Sequence, residues 1–160
     1  MYPTHNDLPE STRTAMVQLL NQRLADSVDL QTQSKQAHWN VRGPSFYSLH
    51  KLFDEVAEDV SEFTDLLAER ATALGGIAEG TVASVAPRTS LPAYSLTIRD
   101  GRDHVEALSR ALAAFGKLAR AGINQAEDAG DADTSDVFTE ISRKTDKLLW
   151  FVEAHLHAER

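Results

Sequence analysis

One stretch of this sequence limits the fold more than any other. Between two segments of helical periodicity lie about two dozen residues, Gly75 to Arg99, which carry Gly80, Pro87 and Pro92. A connection this long is uncommon inside a compact domain and must span something. The segments around it are long and closely joined. The first runs from about Glu10 into Trp39, with Met16, Leu19, Leu20, Leu24 and Val28 at helical spacing, Ser11 or Thr12 as its expected cap, and Gly43-Pro44 beyond its end. The second runs from about Ser45 to Leu74 and is stopped by Gly75-Gly76. The third spans roughly Asp100 to Glu127, and the fourth begins near Thr134, with Asp133 or Thr134 as its expected cap, and continues to about His157.

The short connections make antiparallel hairpins. The long one has to travel the length of the bundle, so that the second and third helices run parallel. Four long helices with a single long crossover, which has room for a short helix, make an all-α ferritin-like bundle; cytokine-type bundles need two long crossovers. The 160 residues suit one domain, here a polar tail over 1–12 and a bundle over 13–158.

Composition narrows the chemistry. There is no cysteine, which removes disulfides, thiolate zinc sites and cysteine nucleophiles. Any metal must be held by imidazole and carboxylate. Acidic residues outnumber basic ones 24 to 16, a balance that argues against a general nucleic-acid surface and is compatible with attracting cations, although a solvated acidic surface is the plainer reading of charge alone. Met1 to Glu10 hold no apolar run and no stretch approaches a membrane span, so a cytoplasmic protein with no membrane partner is expected.

The second helix carries the chemistry. On a helical wheel with His50 at zero, Leu49, Leu52, Phe53, Val56, Val60, Phe63 and Leu67 fall between about 200° and 300° and form the expected core stripe. His50, Asp54, Glu58, Asp65 and Glu69 fall on the other side, between 0° and about 100°. A solvated acidic face would look similar. Two details favour metal binding instead. His50/Asp54 and Asp65/Glu69 are i,i+4 pairs, each able to converge on one ion, and His38 lies across the Gly43-Pro44 turn, where the first helix can bring it close. Nitrogen and oxygen donors in this mixture suit iron or zinc.

The two pairs are centred fifteen residues apart, which is about 22 Å along the axis at ~1.5 Å per residue. One ion cannot touch both. If they serve one site, the halves come from two chains, with two copies of this helix antiparallel about a twofold axis near Asp59-Val60. Ordinary diiron bundles instead build the site inside one chain with Glu-x-x-His; no Glu here has His three residues on, and Glu153 is followed by His155 at i+2.

The run Lys35-Gln36-Ala37-His38-Trp39-Asn40-Val41-Arg42-Gly43, then Phe46, Leu49-His50, Phe53-Asp54, Asp65, Ala68-Glu69-Arg70 and Leu74-Gly75-Gly76, closely resembles the Dps (DNA-protection-during-starvation) miniferritins, and Lys147 to Glu153 resembles their fourth-helix signature. The resemblance covers about residues 15 to 155. It implies a hollow dodecamer with ferroxidase sites at dimer interfaces, His38, His50 and Asp54 coming from one subunit and Asp65 and Glu69 from its neighbour. It further implies Fe(II) and hydrogen peroxide as substrates, Fe(III) mineral stored inside the shell, and protection against oxidative damage. Trp39 would relay or quench an oxidising equivalent, or else serve as a core or interface aromatic. Asp131, Asp133 and Asp136 would line an iron-entry pore, with helix capping as the plainer account. Glu55 and Glu58 would nucleate mineral. His5, His104, His155 and His157 read as surface or structural residues.

One departure stands out. Residues 1–12 contain no Lys or Arg but do contain Asp7 and Glu10, and the chain closes on a single Arg160. Condensing DNA through a tail needs clustered cations, so DNA binding at physiological salt is not expected; a nucleoid-binding structural protein is the competing reading.

Overall fold

The computed structural model describes residues 1–157, so Arg160 lies outside the described residues. It is all-helical: α1 (Glu10–Asn40), α2 (Phe46–Ala73), α3 (Val82–Val85), α4 (Gly101–Asp128) and α5 (Ala132–Glu153), followed by a 3₁₀ turn, Ala154–Leu156. α1 packs chiefly on α2 and α4 on α5, with smaller α1–α4 and α2–α5 contacts, so the helices follow the order α1, α2, α5, α4 around the bundle. α3 sits within the crossover, and the whole is the ferritin-like arrangement. Among the described residues, no helix is long and apolar enough to cross a membrane.

The expected core stripe of α2 is buried throughout, from Leu49 to Leu67. Phe63 reaches across the bundle to Phe115 of α4, their ring centroids 6.3 Å apart, while Phe53, Phe138, Leu108, Leu112 and Ile141 fill the remaining centre. The α2 stop is made by Gly75 at φ +85°, whose N–H donates to Thr72 while the N–H of Gly76 donates to Ala71. A Cβ on Gly76 would meet Val17 at 2.5 Å; a side chain there would push α1 off the end of α2.

Two expected caps are corrected. α1 begins earlier than Ser11 or Thr12 allow: its N-cap is Pro9, with no side-chain cap. The fixed φ of proline directs the chain into the helix, and Ser11 and Thr12 become part of the first turn. Residues 10–12 are therefore helical. The stretch before them folds back on the bundle, the Tyr2 N–H donating to the Gly75 carbonyl at 2.7 Å and Leu8 packing on the core. α5 is capped by Asp131, whose carboxylate accepts from the Thr134 N–H at 3.0 Å, and neither Asp133 nor Thr134 fills that position. α4 has the expected start, Asp100 accepting from the Arg102 N–H.

The crossover is strapped to α1 by buried polar side chains. Asn21 donates to the Ile77 carbonyl and accepts from the Glu79 N–H. Asp26, fully buried and paired with Arg23 at 2.8 Å, accepts from the N–H and hydroxyl of Ser90. Gln33 donates to the Pro92 carbonyl. These contacts satisfy loop backbone groups that would otherwise be buried without partners.

Candidate metal centre

His38 occupies the last turn of α1 and His50 the second turn of α2, and the Gly43 turn (φ +104°) folds one helix end over the other. Their rings stack, centroids 3.7 Å apart at 20°. Each Nδ1 lies against the other residue's backbone: His38 Nδ1 is 2.7 Å from the His50 carbonyl, and His50 Nδ1 is 2.9 Å from the His38 carbonyl. A carbonyl only accepts, so both Nδ1 atoms carry hydrogen. In the neutral rings the lone pair then sits on Nε2, the atom left to bind a metal. Phe46 lies tilted against His50, with ring centroids 5.1 Å apart.

Asp54 is one turn below His50, 3.9 Å from His38 Nδ1. Its carboxylate is held by Lys35, Nζ to Oδ1 2.6 Å. The hydrogen bond from Lys35 keeps the Asp54 carboxyl below the usual carboxylate range, opposed by partial burial and assisted by the charges of His38, Lys35 and His50. Lys35 also stands 6.0 Å from the centroid of the Trp39 ring. Trp39 is 67% exposed, which excludes it from the core. Lys35, which no metal-ligand pattern in the sequence singles out, stands one turn before His38 on the same helical face.

Asp65 and Glu69 lie further along α2, both exposed. Among the described residues neither carboxylate takes part in an ion pair; Glu69 accepts from the Thr72 hydroxyl only through its backbone carbonyl. The structure thus brings His38, His50 and Asp54 together and leaves Asp65 and Glu69 roughly 22 Å away along the axis. Among the described residues, no group of three or more His, Asp or Glu side chains is poised around a common ion within one chain.

The remaining candidates separate by burial. Glu55 and Glu58 are exposed on α2. Asp133 is exposed, 3.7 Å from Arg70 Nη1, and Asp136 is exposed beside Glu127 and Ser135 in a shallow depression at the start of α5. Asp131 is corrected. It is 1% exposed, bonded to Arg70 at 2.7 Å and to the Thr134 hydroxyl at 2.6 Å. It ties α2 to α5 and has no free surface with which to line a pore.

A profile of the ferritin-like domain matches residues 17–160, and this sets the class. The DNA protection during starvation protein of Agrobacterium fabrum is 39% identical over 155 residues, covering 97% of this chain and 96% of that protein. DpsC from Streptomyces coelicolor superposes with a TM-score of 0.93 at 31% identity, over 100% of this chain and 92% of that one. A Mycobacterium smegmatis Dps also gives 0.93, at 28% identity over 99% and 95%. Within the ferritin-like class, the chain belongs to the Dps family.

Proposed function

We propose that the protein is a ferroxidase and iron store, which oxidises Fe(II), preferentially with hydrogen peroxide, at sites shared by two subunits and keeps the Fe(III) mineral inside a hollow dodecamer. The single observation that carries this reading is the division of donors along α2. Two histidines are locked by reciprocal hydrogen bonds so that both Nε2 atoms are free, and the carboxylate pair that complements them is beyond their reach in the same chain. A twofold-related α2 supplies Asp65 and Glu69 to the His half, giving two equivalent sites per dimer.

The hard carboxylates of Asp65 and Glu69 suit the first Fe(II), and the imidazoles of His38 and His50 with Asp54 suit the second. Lys35 holds Oδ1 of Asp54, which leaves Oδ2 to ligate, and its positive charge opposes a cation there. Two Fe(II) held together deliver both electrons to one peroxide, so no hydroxyl radical is released. Trp39, exposed beside the histidines, faces the proposed interface. Zn(II) fits the same donors and acts as a competitor for the site. Asp133 and Asp136 remain as the iron-entry acids, and Glu55 and Glu58 as mineral-nucleating ones. The Agrobacterium fabrum relative is named for DNA protection. Residues 1–12 hold no Lys or Arg and the Tyr2 N–H is bonded to the Gly75 carbonyl; on this reading protection works through iron and peroxide removal, and supercoiled plasmid should run unshifted with metal-free protein at about 150 mM salt. Expression in the cytoplasm accords with this chemistry; fractionation of the native host checks it.

The test is anaerobic Fe(II) loading followed by measured additions of hydrogen peroxide. The reading requires about two Fe(II) oxidised per peroxide, with the iron retained in a large soluble assembly. Oxidation at the protein-free rate with precipitation of iron would overturn it.

A further inference from the structure

Where the crossover meets the start of α4, a phenol and an imidazole form an isolated pair. The Tyr94 hydroxyl lies 2.5 Å from His104 Nδ1, and the rings are near-parallel with centroids 6.1 Å apart. His104 is 1% exposed. The backbone carbonyl of Asn40 lies against the same imidazole, although among the described residues Nε2 closes no full hydrogen bond. Asn40 ends α1 two residues after His38. The pair therefore adjoins the helix end that carries the metal-binding histidine, through one contact and two peptide units.

Simple anchoring of a loop does not need this combination. A phenol that only had to be buried would be satisfied by any backbone carbonyl. Here it faces a nitrogen base. Burial raises the Tyr94 phenol above its ordinary value, so the anion is disfavoured and the hydroxyl is the donor to Nδ1. Burial also lowers His104, opposed by the Asn40 carbonyl and by the negative charges of Asp103 and Asp100. The ring rests neutral, with an acceptor nitrogen on the phenol and two carboxylates near enough to stabilise a positive charge if one forms. A phenol is oxidised far more readily when its proton can leave with its electron. This pair has the proton acceptor already in place.

We propose that Tyr94 is a one-electron donor to oxidants of the hydroxyl-radical class formed at the neighbouring iron site, and that His104 Nδ1 holds the phenolic proton while it does so. The proposal rests on the iron-oxidation reading above. The oxidant arises when peroxide meets a site holding one Fe(II) instead of two, giving Fe(III), hydroxide and a hydroxyl radical. Tyr94 then loses its electron to that radical and its proton to His104. The products are a neutral tyrosyl radical, an imidazolium and a second hydroxide, and charge and atoms balance. Return of the proton from Nδ1 with an electron from another Fe(II) restores the phenol, leaving Fe(III). Tyr94 does not touch the iron; it completes the second electron when the second iron is absent.

The test uses the assembled protein grown with ring-deuterated tyrosine, loaded anaerobically with about one Fe(II) per site, treated with peroxide and frozen within seconds for electron paramagnetic resonance. A radical signal that narrows on deuteration is expected. It should persist in the Tyr2→Phe/Tyr47→Phe double variant, in which Tyr94 is the sole remaining tyrosine among the three, and vanish in Tyr94→Phe. His104→Gln keeps a hydrogen-bonding partner but not a base, and should lower the radical yield about tenfold or more at an unchanged melting temperature. A signal unaltered in Tyr94→Phe, or rapid Fe(III) formation with no tyrosyl signal, would overturn the proposal and leave the ferroxidase reading intact. Absence of rapid Fe(III) formation in the parent protein would overturn both.

Discussion

The two halves of the candidate centre share α2, the first joined by His38 of α1, and are built in opposite ways. At the N-terminal end of α2, His50 and Asp54 are held by α1: two reciprocal imidazole–carbonyl bonds, one ring stack and a lysine ion pair. Toward the C-terminal end, Asp65 and Glu69 are exposed and engaged by no ion pair among the described residues. The chain spends organisation on one half and none on the other. A half that must accept a partner's ligands benefits from a fixed frame. A half that must reach into a partner benefits from being bare, because every internal ion pair would have to be broken first.

The sharpest way to test this contrast is to remove the bare half. Asp65→Ala with Glu69→Ala should lower rapid Fe(II) oxidation by about 100-fold or more, read by stopped-flow absorbance. Exposed side chains contribute little to stability, so the melting temperature should hold to within about 0.5 kcal/mol of equivalent stability. Unfolding of this variant would show that the carboxylates are structural.

The same helix offers a control a few residues on. Asp131, bonded to Arg70 of α2 and capping α5, should cost about 2–4 kcal/mol when replaced by alanine, since a helix cap and a buried ion pair are lost together. Urea unfolding measures it. Iron oxidation per folded subunit should be unchanged, which separates a structural acid from the ligand pair.

Lys35→Met addresses the braced half. Removing the ammonium that holds Asp54 should strengthen cobalt(II) binding at the histidine half by about three- to tenfold, measured by calorimetry. Weaker binding would mean that Lys35 positions Asp54 for the metal instead of competing with it.

The smallest effect concerns His104. Its folded-state affinity for protons is depressed below the ordinary imidazole value of 6.5, chiefly by burial. Below that value the unfolded chain binds more protons than the folded one, so the stabilisation is full above pH 6.5 and is lost as pH falls from there toward the lowered folded value. Urea midpoints taken from pH 7.5 down to about 5 should drop more steeply in the parent than in His104→Gln. Equal slopes would place the charged ring in the folded state.

The parts of the fold that were legible in the sequence were those written in periodicity and punctuation. The α2 stripe from Leu49 to Leu67 repeats without interruption, and Gly75-Gly76 ends it where a left-handed residue is needed. α1 was harder. Its buried Asn21, Asp26 and Gln33 break the apolar pattern because they face a crossover whose backbone needs hydrogen bonds, and a wheel does not distinguish a polar residue facing solvent from one facing a loop. The caps were misplaced for a similar reason. Asp131, Asp133 and Thr134 are all good capping residues and all meet Arg70 of α2. What singles out Asp131 is that it is buried against that guanidinium, sixty-one positions away in sequence, with its carboxylate turned onto the Thr134 N–H. Among the site residues, His38, His50 and Asp54 were accessible through helical spacing and the short turn. Lys35 was overlooked because a lysine beside ligands reads as surface charge. The Tyr94–His104 pair was invisible, as the conformation of the crossover decides which residue of a long loop meets α4.

The central claim is that each site draws its two halves from different chains, and complementation tests it most directly. One variant lacks the braced half (His38→Ala, His50→Ala, Asp54→Ala) and the other lacks the bare half (Asp65→Ala, Glu69→Ala). Each alone should be inactive. Unfolded together and reassembled at equal amounts, half of the dimers pair unlike chains, and each of these regains one intact site of two. Rapid Fe(II) oxidation at about a quarter of the parent level is the predicted result. No recovery from a mixture shown to contain mixed dimers would contradict a two-chain centre.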